Sequence, residues 1–173
     1  MNIAIIDDKI RSESILRYKT VRFYVDDDLE IEKLDGIGDS KKAITGDSHA
    51  DICSKIIRKY NSDCSITNII VKGSSTGDLE KFVSGLEFVS EMEEIDIVNL
   101  SIGFTDRNYA VELNHAIRKL LKRGIKIVAA YSNSGEETYP AAFDNVIGCR
   151  AAQNRMDRGY YKQNDVFLPR VPI

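Results

Sequence analysis

The stretch Ile125 to Gly148, IKIVAAYSNSGEETYPAAFDNVIG, constrains the fold of this chain more than any other. Ile125, Ile127, Val128, Ala129 and Ala130 make a short apolar run, the pattern of a parallel strand buried on both faces. The run stops at Tyr131, Ser132, Asn133, Ser134 and Gly135, and a further strand spans Val146 to Gly148. A buried strand ending in a small polar loop delivers that loop to the carboxyl edge of a sheet, where open α/β folds bind their ligands. Asn133 is thereby a candidate functional residue.

Similar strands recur along the chain. Ile3 to Ile6 ends at Asp7 and Asp8, which carries two carboxylates to the same edge. Val21 to Leu34 alternates apolar and charged residues and reads as short peripheral strands. Asp35 to Ser48, rich in Gly, Asp and Ser, reads as a loop. A helix is predicted to begin at Ser48 or His49, with Ile52, Ile56, Ile57 and Tyr60 on its apolar face. Ile66 to Val71 is a strand followed by the turn KGSSTGD, whose Asp78 can cap the next helix. That helix carries Leu79, Phe82, Val83, Leu86 and Val89 inward, with Glu80, Lys81, Glu87 and Glu91 mostly outside. Asp96 to Leu100 is a strand ending at Ser101, Ile102 and Gly103. A helix from about Asn108 to Arg123 follows, with Leu113, Ile117, Leu120 and Leu121 on one face and Gly124 closing it. Strands alternating with helices predict a doubly wound, mostly parallel sheet with helices on both faces. The C-terminal VFLPRVPI, with two prolines among its last five residues, is not expected to be a core strand.

The 173 residues suffice for one well-buried domain spanning 1–173. Lys plus Arg number 24 against 27 Asp plus Glu, a net charge of −3 that offers no basic field for nucleic acid. No apolar run approaches ~18 residues and no signal peptide precedes the first strand, so a cytoplasmic protein without membrane contact is expected. Cys53, Cys64 and Cys149 show neither metal-ligand spacing nor a disulfide framework and are read as reduced thiols. No metal or cofactor is predicted. Cys53 stands one helical turn after His49, and a small buried thiol is the expected role. The acidic run Asp26 to Asp28 reads as a solvated turn.

Asp7, His49 and Asn133 fall in order at strand ends and a helix start. A histidine base needs a carboxylate to hold its tautomer, and a side-chain amide can donate to a developing oxyanion, so the set points to acyl transfer. The sequence resembles the subtilisin-like serine peptidases from Ile3 to about Pro169. IAIIDDKI resembles the family's catalytic aspartate strand and implies that role for Asp7; GDSHADICSKII resembles the histidine motif and implies the base role for His49. VNLSIG resembles the substrate-binding strand, implying that Ser101, Ile102 and Gly103 line the cleft. VAAYSNSGEETYPAAFDNVIGCRA resembles the oxyanion segment, giving Asn133 that role. An extended peptide adding to the edge at Ser101 to Gly103 would meet a glycine that permits close approach.

Several positions depart from the family's pattern. Asp8 and Lys9 follow the aspartate, Ala50 and Asp51 follow the histidine, and Tyr131 and Ser132 precede the asparagine, each in place of smaller or hydroxylated residues. The family's nucleophile lies in a later Gly-Thr-Ser-Met-Ala segment opening a long helix, and no such segment follows Asn133. The expectation is a subtilisin-like fold incomplete at its C-terminal end, acting on peptide or protein substrates. On its own the chain is expected to be inactive, its serine supplied by a C-terminal segment or a second chain. A non-catalytic peptide-binding module is the alternative. A receiver-like phosphoacceptor with magnesium at Asp7 and Asp8 fits less well, because the central strand ends at Lys72 and Gly73 with no acceptor aspartate.

Overall fold

The computed structural model describes residues 1–35, 46–71, 79–150, 159–163 and 166–170, the last two segments as main chain. Along the chain run β1 (Asn2–Asp7), α1 (Glu13–Leu16), β2 (Thr20–Val25), β3 (Ile31–Leu34), α2 (His49–Tyr60), β4 (Ser65–Ile70) and α3 (Leu79–Glu91). They are followed by β5 (Ile97–Leu100), a 3-10 turn (Arg107–Tyr109), α4 (Ala110–Lys122), β6 (Lys126–Ala130), β7 (Ile147–Cys149), β8 (Gly159–Gln163) and β9 (Val166–Arg170). The described strands form one sheet in the order β3-β2-β4-β1-β5-β6-β7-β9-β8. Pairing is parallel from β2 through β9, and β3 and β8 are antiparallel additions at the two edges. This is the doubly wound α/β architecture that the alternation of elements predicts.

Successive residues of a strand point to opposite faces, so each strand feeds two separate cores. Ala4, Ile6, Ile69, Val98, Leu100, Ile127 and Ala129 face α3 and α4, where Phe82, Leu86, Leu113, Ile117 and Leu120 complete the larger core. Ile3, Ile5 and Ile66 face the other way and pack with Ile10, Ile15, Ala50 and Cys64 around α1 and α2. Beyond β1 this second layer stops. Asn99, Val128, Ala130, Ile147 and Cys149 are only half-buried there. With Cys53, Ile56 and Ile57 of α2 they line an apolar cavity of about 530 Å³.

Three sequence expectations are corrected. The predicted inner face of α2 lies outward: Ile52, Ile56 and Tyr60 are 45%, 53% and 70% exposed, and the buried residues are Ala50, Asp51 and Ser54. Polar bonds outweigh apolar periodicity here, because Asp51 is tied to the helix start and to the loop before α1, which rolls its side of the helix inward. Lys81 is buried rather than outside, its stem packed against the core and its ammonium paired with the exposed Asp27. VFLPR also forms a strand. β9 meets β7 at Cys149↔Phe167, so Pro169 lies past that contact and pairs on the β8 side, opposite Tyr160. A missing N–H is tolerated where one flank has no ladder. Most of the Gly-rich loop, the KGSSTGD turn beyond Val71 and Asp78 lie outside the described residues. Gly124 follows α4 at φ +76°, the left-handed conformation that ends many helices.

Candidate active site

β1 ends at Asp7, which is 2% exposed, and its Oδ2 lies 2.6 Å from His49 Nδ1 at the start of α2. Oδ1 of the same carboxylate accepts the Asp8 N–H at 2.8 Å, which fixes its rotation. The imidazole is 55% exposed, so the pair joins a buried anchor to an open ring. Asp8 then grips the helix itself. Its two oxygens accept the His49 N–H at 3.2 Å and the Ala50 N–H at 2.8 Å, satisfying two of the donors that every helix start leaves orphaned.

Three more residues, to which sequence reasoning gave no part in the site, hold this corner. Ser48 and Asp51 form a capping box: Ser48 Oγ accepts the Asp51 N–H and Asp51 Oδ2 accepts the Ser48 N–H. Asp51 Oδ1 also accepts the N–H groups of Arg11 and Ser12 at 3.0 and 2.9 Å. Asn68, fully buried in β4, accepts the Ile10 N–H and donates to the Asp8 carbonyl, both at 3.0 Å. The S-x-x-D spacing signals the box; an asparagine inside the apolar run SITNIIV signals the second anchor.

Ser101 follows β5. Its Oγ accepts from Asn99 Nδ2 at 3.0 Å and lies 3.6 Å from Cys53 Sγ. Ile102 packs against the larger core. Gly103 is exposed, yet a Cβ there would meet Thr138 Cγ2 at 2.4 Å. Its small size is therefore demanded from within, where Phe104 and Tyr139 exchange main-chain hydrogen bonds at 2.8 Å. Among the described residues, no turn or loop hydrogen bond engages the main chain of Ser101 to Gly103.

Asn133 lies exposed in the loop after β6. The turn is held by Ser132 instead: its N–H donates to Thr138 Oγ1 at 2.9 Å, its Oγ accepts the Ser134 N–H at 3.2 Å and its carbonyl accepts the Gly135 N–H. The structure joins Asp7 to His49 but brings neither into contact with Asn133. The ends of β1 and β6 stand two strand spacings apart, about 10 Å. Tyr131 packs against Gly148, where a Cβ would meet its ring at 2.5 Å, and Arg150 lies 4.1 Å from the ring centroid.

Cys53 Sγ is 3.8 Å from His49 Nδ1, the nitrogen that already faces Asp7. Burial pushes this thiol up from its ordinary range, and the Asp7 and Asp8 charges add to that effect, against the Ser101 hydrogen bond. It is placed and poised poorly for attack, since thiolate rather than thiol is the nucleophile.

No family model matches the sequence. The chain is 28% identical over 89 residues to the major intracellular serine protease of Bacillus subtilis, covering 47% of this chain and 27% of that protein. It is 26% identical over 110 residues to subtilisin Savinase of Lederbergia lenta, covering 60% and 40% respectively. Among solved structures, the epidermin leader peptide processing serine protease of Staphylococcus aureus superposes with a TM-score of 0.66 at 19% identity, over 86% of this chain and 46% of that one. A lanthipeptide protease matches equally, with a TM-score of 0.66 at 16% identity over 86% and 47%. The chain thus spans between about a quarter and two fifths of the curated relatives it matches. These relatives lend no support to a receiver-like reading. Among the described residues, no helix is long and apolar enough to cross a membrane. By sequence and fold together, the chain is related to the subtilisin-like serine proteases and corresponds to part of their length.

Proposed function

We propose that this chain supplies the acid–base half of a subtilisin-like serine endopeptidase acting on peptides or proteins. The observation that carries the proposal is the 2.6 Å contact between the buried Asp7 carboxylate and the half-exposed His49 ring at the carboxyl edge of a parallel sheet. With Nδ1–H donating to Asp7, the neutral imidazole presents Nε2 to solvent as the base. It takes the proton of an attacking serine hydroxyl and later returns it to the leaving amine, while Asp7 stabilises the imidazolium. Asn133 would donate its amide to the oxyanion, a contribution typically worth about 10²- to 10³-fold in rate. A substrate strand would add to the free main chain of Ser101 to Gly103.

The serine comes from a C-terminal segment or a second chain. The half-bare sheet face supports this reading, because its 530 Å³ apolar cavity is flanked by α2 and lies beneath the His49 edge. An apolar helix carrying the nucleophile at its start would cover Val128, Ala130 and Ile147 and would turn Ile56 of α2 into an interface residue. A cytoplasmic setting is supported by the intracellular protease of Bacillus subtilis among the relatives.

A serine-directed fluorophosphonate and a general peptide substrate test the proposal. The chain alone is expected to show neither labelling nor turnover; adding the serine-bearing segment restores both, and His49→Ala in the restored enzyme loses at least about 10²-fold in rate. Fluorophosphonate labelling of this chain by itself would refute the external nucleophile.

A further inference from the structure

Asp7, His49 and Cys53 bring three different donor types together on the floor of the cleft. One carboxylate oxygen, one imidazole nitrogen and the thiol sulfur lie within 4.8 Å of one another. Measured from Nδ1, the oxygen is at 2.6 Å and the sulfur at 3.8 Å. Tetrahedral coordination at ordinary zinc–ligand lengths spaces its donors roughly 3.3–3.6 Å apart. Towards Nδ1 the sulfur closes by only a few tenths of an ångström; its edge to the Asp7 oxygen, bounded by 4.8 Å, closes by up to about 1.2 Å through rotation of the Cys53 side chain, and rotation of the half-exposed ring opens the short oxygen–nitrogen contact.

The surroundings are those of a supported site. Asp7 is buried, and the Asp8 N–H holds its rotation. Cys53 Sγ is oriented towards Ser101, whose hydroxyl is itself held by Asn99. Outer contacts of this kind fix first ligands in place. One wall is apolar, and the exposed ring leaves both an entry path and an open fourth position for water.

We propose that Asp7, His49 Nδ1 and Cys53 form a site for a thiophilic divalent cation, Zn²⁺ in type, that takes His49 out of its pairing with Asp7. The cation takes the place of the proton between Asp7 and Nδ1, that proton moves to Nε2 so that the ring stays neutral, and the thiol proton is released to solvent. No redox step is involved. Occupied in this way, His49 can no longer act as a base at Nε2. That consequence rests on the proposed function, whereas the binding itself does not.

The test uses Co²⁺ as a spectroscopic stand-in, followed by displacement with Zn²⁺. Wild-type protein should develop a thiolate-to-cobalt charge-transfer band and tetrahedral d–d bands at one equivalent, both lost on adding Zn²⁺. Cys53→Ser and Cys53→Ala should abolish the charge-transfer band while leaving the circular dichroism unchanged, and His49→Ala should weaken binding at least about tenfold. Cys149→Ser, on the same cavity, should bind as wild type. Absence of the band in wild-type protein overturns the proposal even if both Cys53 variants misfold, and so does a band that depends on Cys149 instead. Because nothing in this readout requires peptide hydrolysis, a cation-binding protein without proteolytic activity would defeat the proposed function alone.

Discussion

On one face of the sheet, α3 and α4 seal Phe82, Leu86, Leu113, Ile117 and Leu120 completely; on the other, α1 and α2 stop at β1 and leave Val128, Ala130 and Ile147 half-covered. The site lies where the two conditions meet. Its Asp7–His49 corner belongs to the well-bonded part, with every oxygen of Asp8 and Asp51 engaged, while the Cys53 side opens onto the half-buried part. The contrast teaches that the apolar periodicity of a helix does not by itself say which side is buried: Ile52 and Ile56 are exposed on α2 while Asp51 and Ser54 are not.

The sharpest way to break this comparison is to truncate both faces. Phe82→Ala on the sealed face should cost about 3–5 kcal/mol in urea unfolding. Were Ile56→Ala to cost as much, the second face would be packed after all. Next in size is Asp51→Ala, which removes the capping box and strands the N–H groups of Arg11 and Ser12; about 2–3 kcal/mol is expected from the same measurement. Gly103→Ala, forced against Thr138, should cost about 1–3 kcal/mol. Ile56→Ala itself should cost under about 1 kcal/mol in this chain, because the residue is already half in water. In the serine-restored enzyme the same substitution should cost more, by weakening the segment's docking.

The smallest effect is expected at Cys53. Burial raises its pKa in the folded chain above the unfolded value, so the unfolded chain ionises first. Stability is therefore unaffected below the ordinary thiol range and falls as the pH rises through it. Unfolding midpoints compared at about pH 7 and about pH 10 check this, and the alkaline loss should shrink in Cys53→Ala. A loss of equal size in both proteins would assign the effect to other groups.

How legible all this was in the sequence depends on the range of the interactions. Parallel strands buried on both faces announce themselves as short apolar runs, so β1, β4 and β6 and their edge loops could be read directly, together with the positions of Asp7, His49 and Asn133. Periodicity found the apolar stripe of α2, but periodicity says only which residues share a face. What that face meets is decided by Asp51, reaching Arg11 and Ser12 about forty positions away. Lys81 was misread for a similar reason, because its partner Asp27 sits on a distant turn. The smallness of Gly103 could be noticed, yet its cause, Thr138, becomes visible only once β5 and β6 lie side by side.

The Asp7–Asp8 dipeptide has a consequence for the order of assembly. Adjacent residues at one strand end hold both the ring and the backbone of His49, and neither contact involves the bare face. The Asp7–His49 pair is thus formed as soon as β1 and α2 meet. Under the proposed function, restoring activity would then take a single bimolecular encounter that delivers a serine to a preformed pair. The rate of recovery should rise linearly with the concentration of the added segment, with no slow unimolecular rearrangement at the histidine.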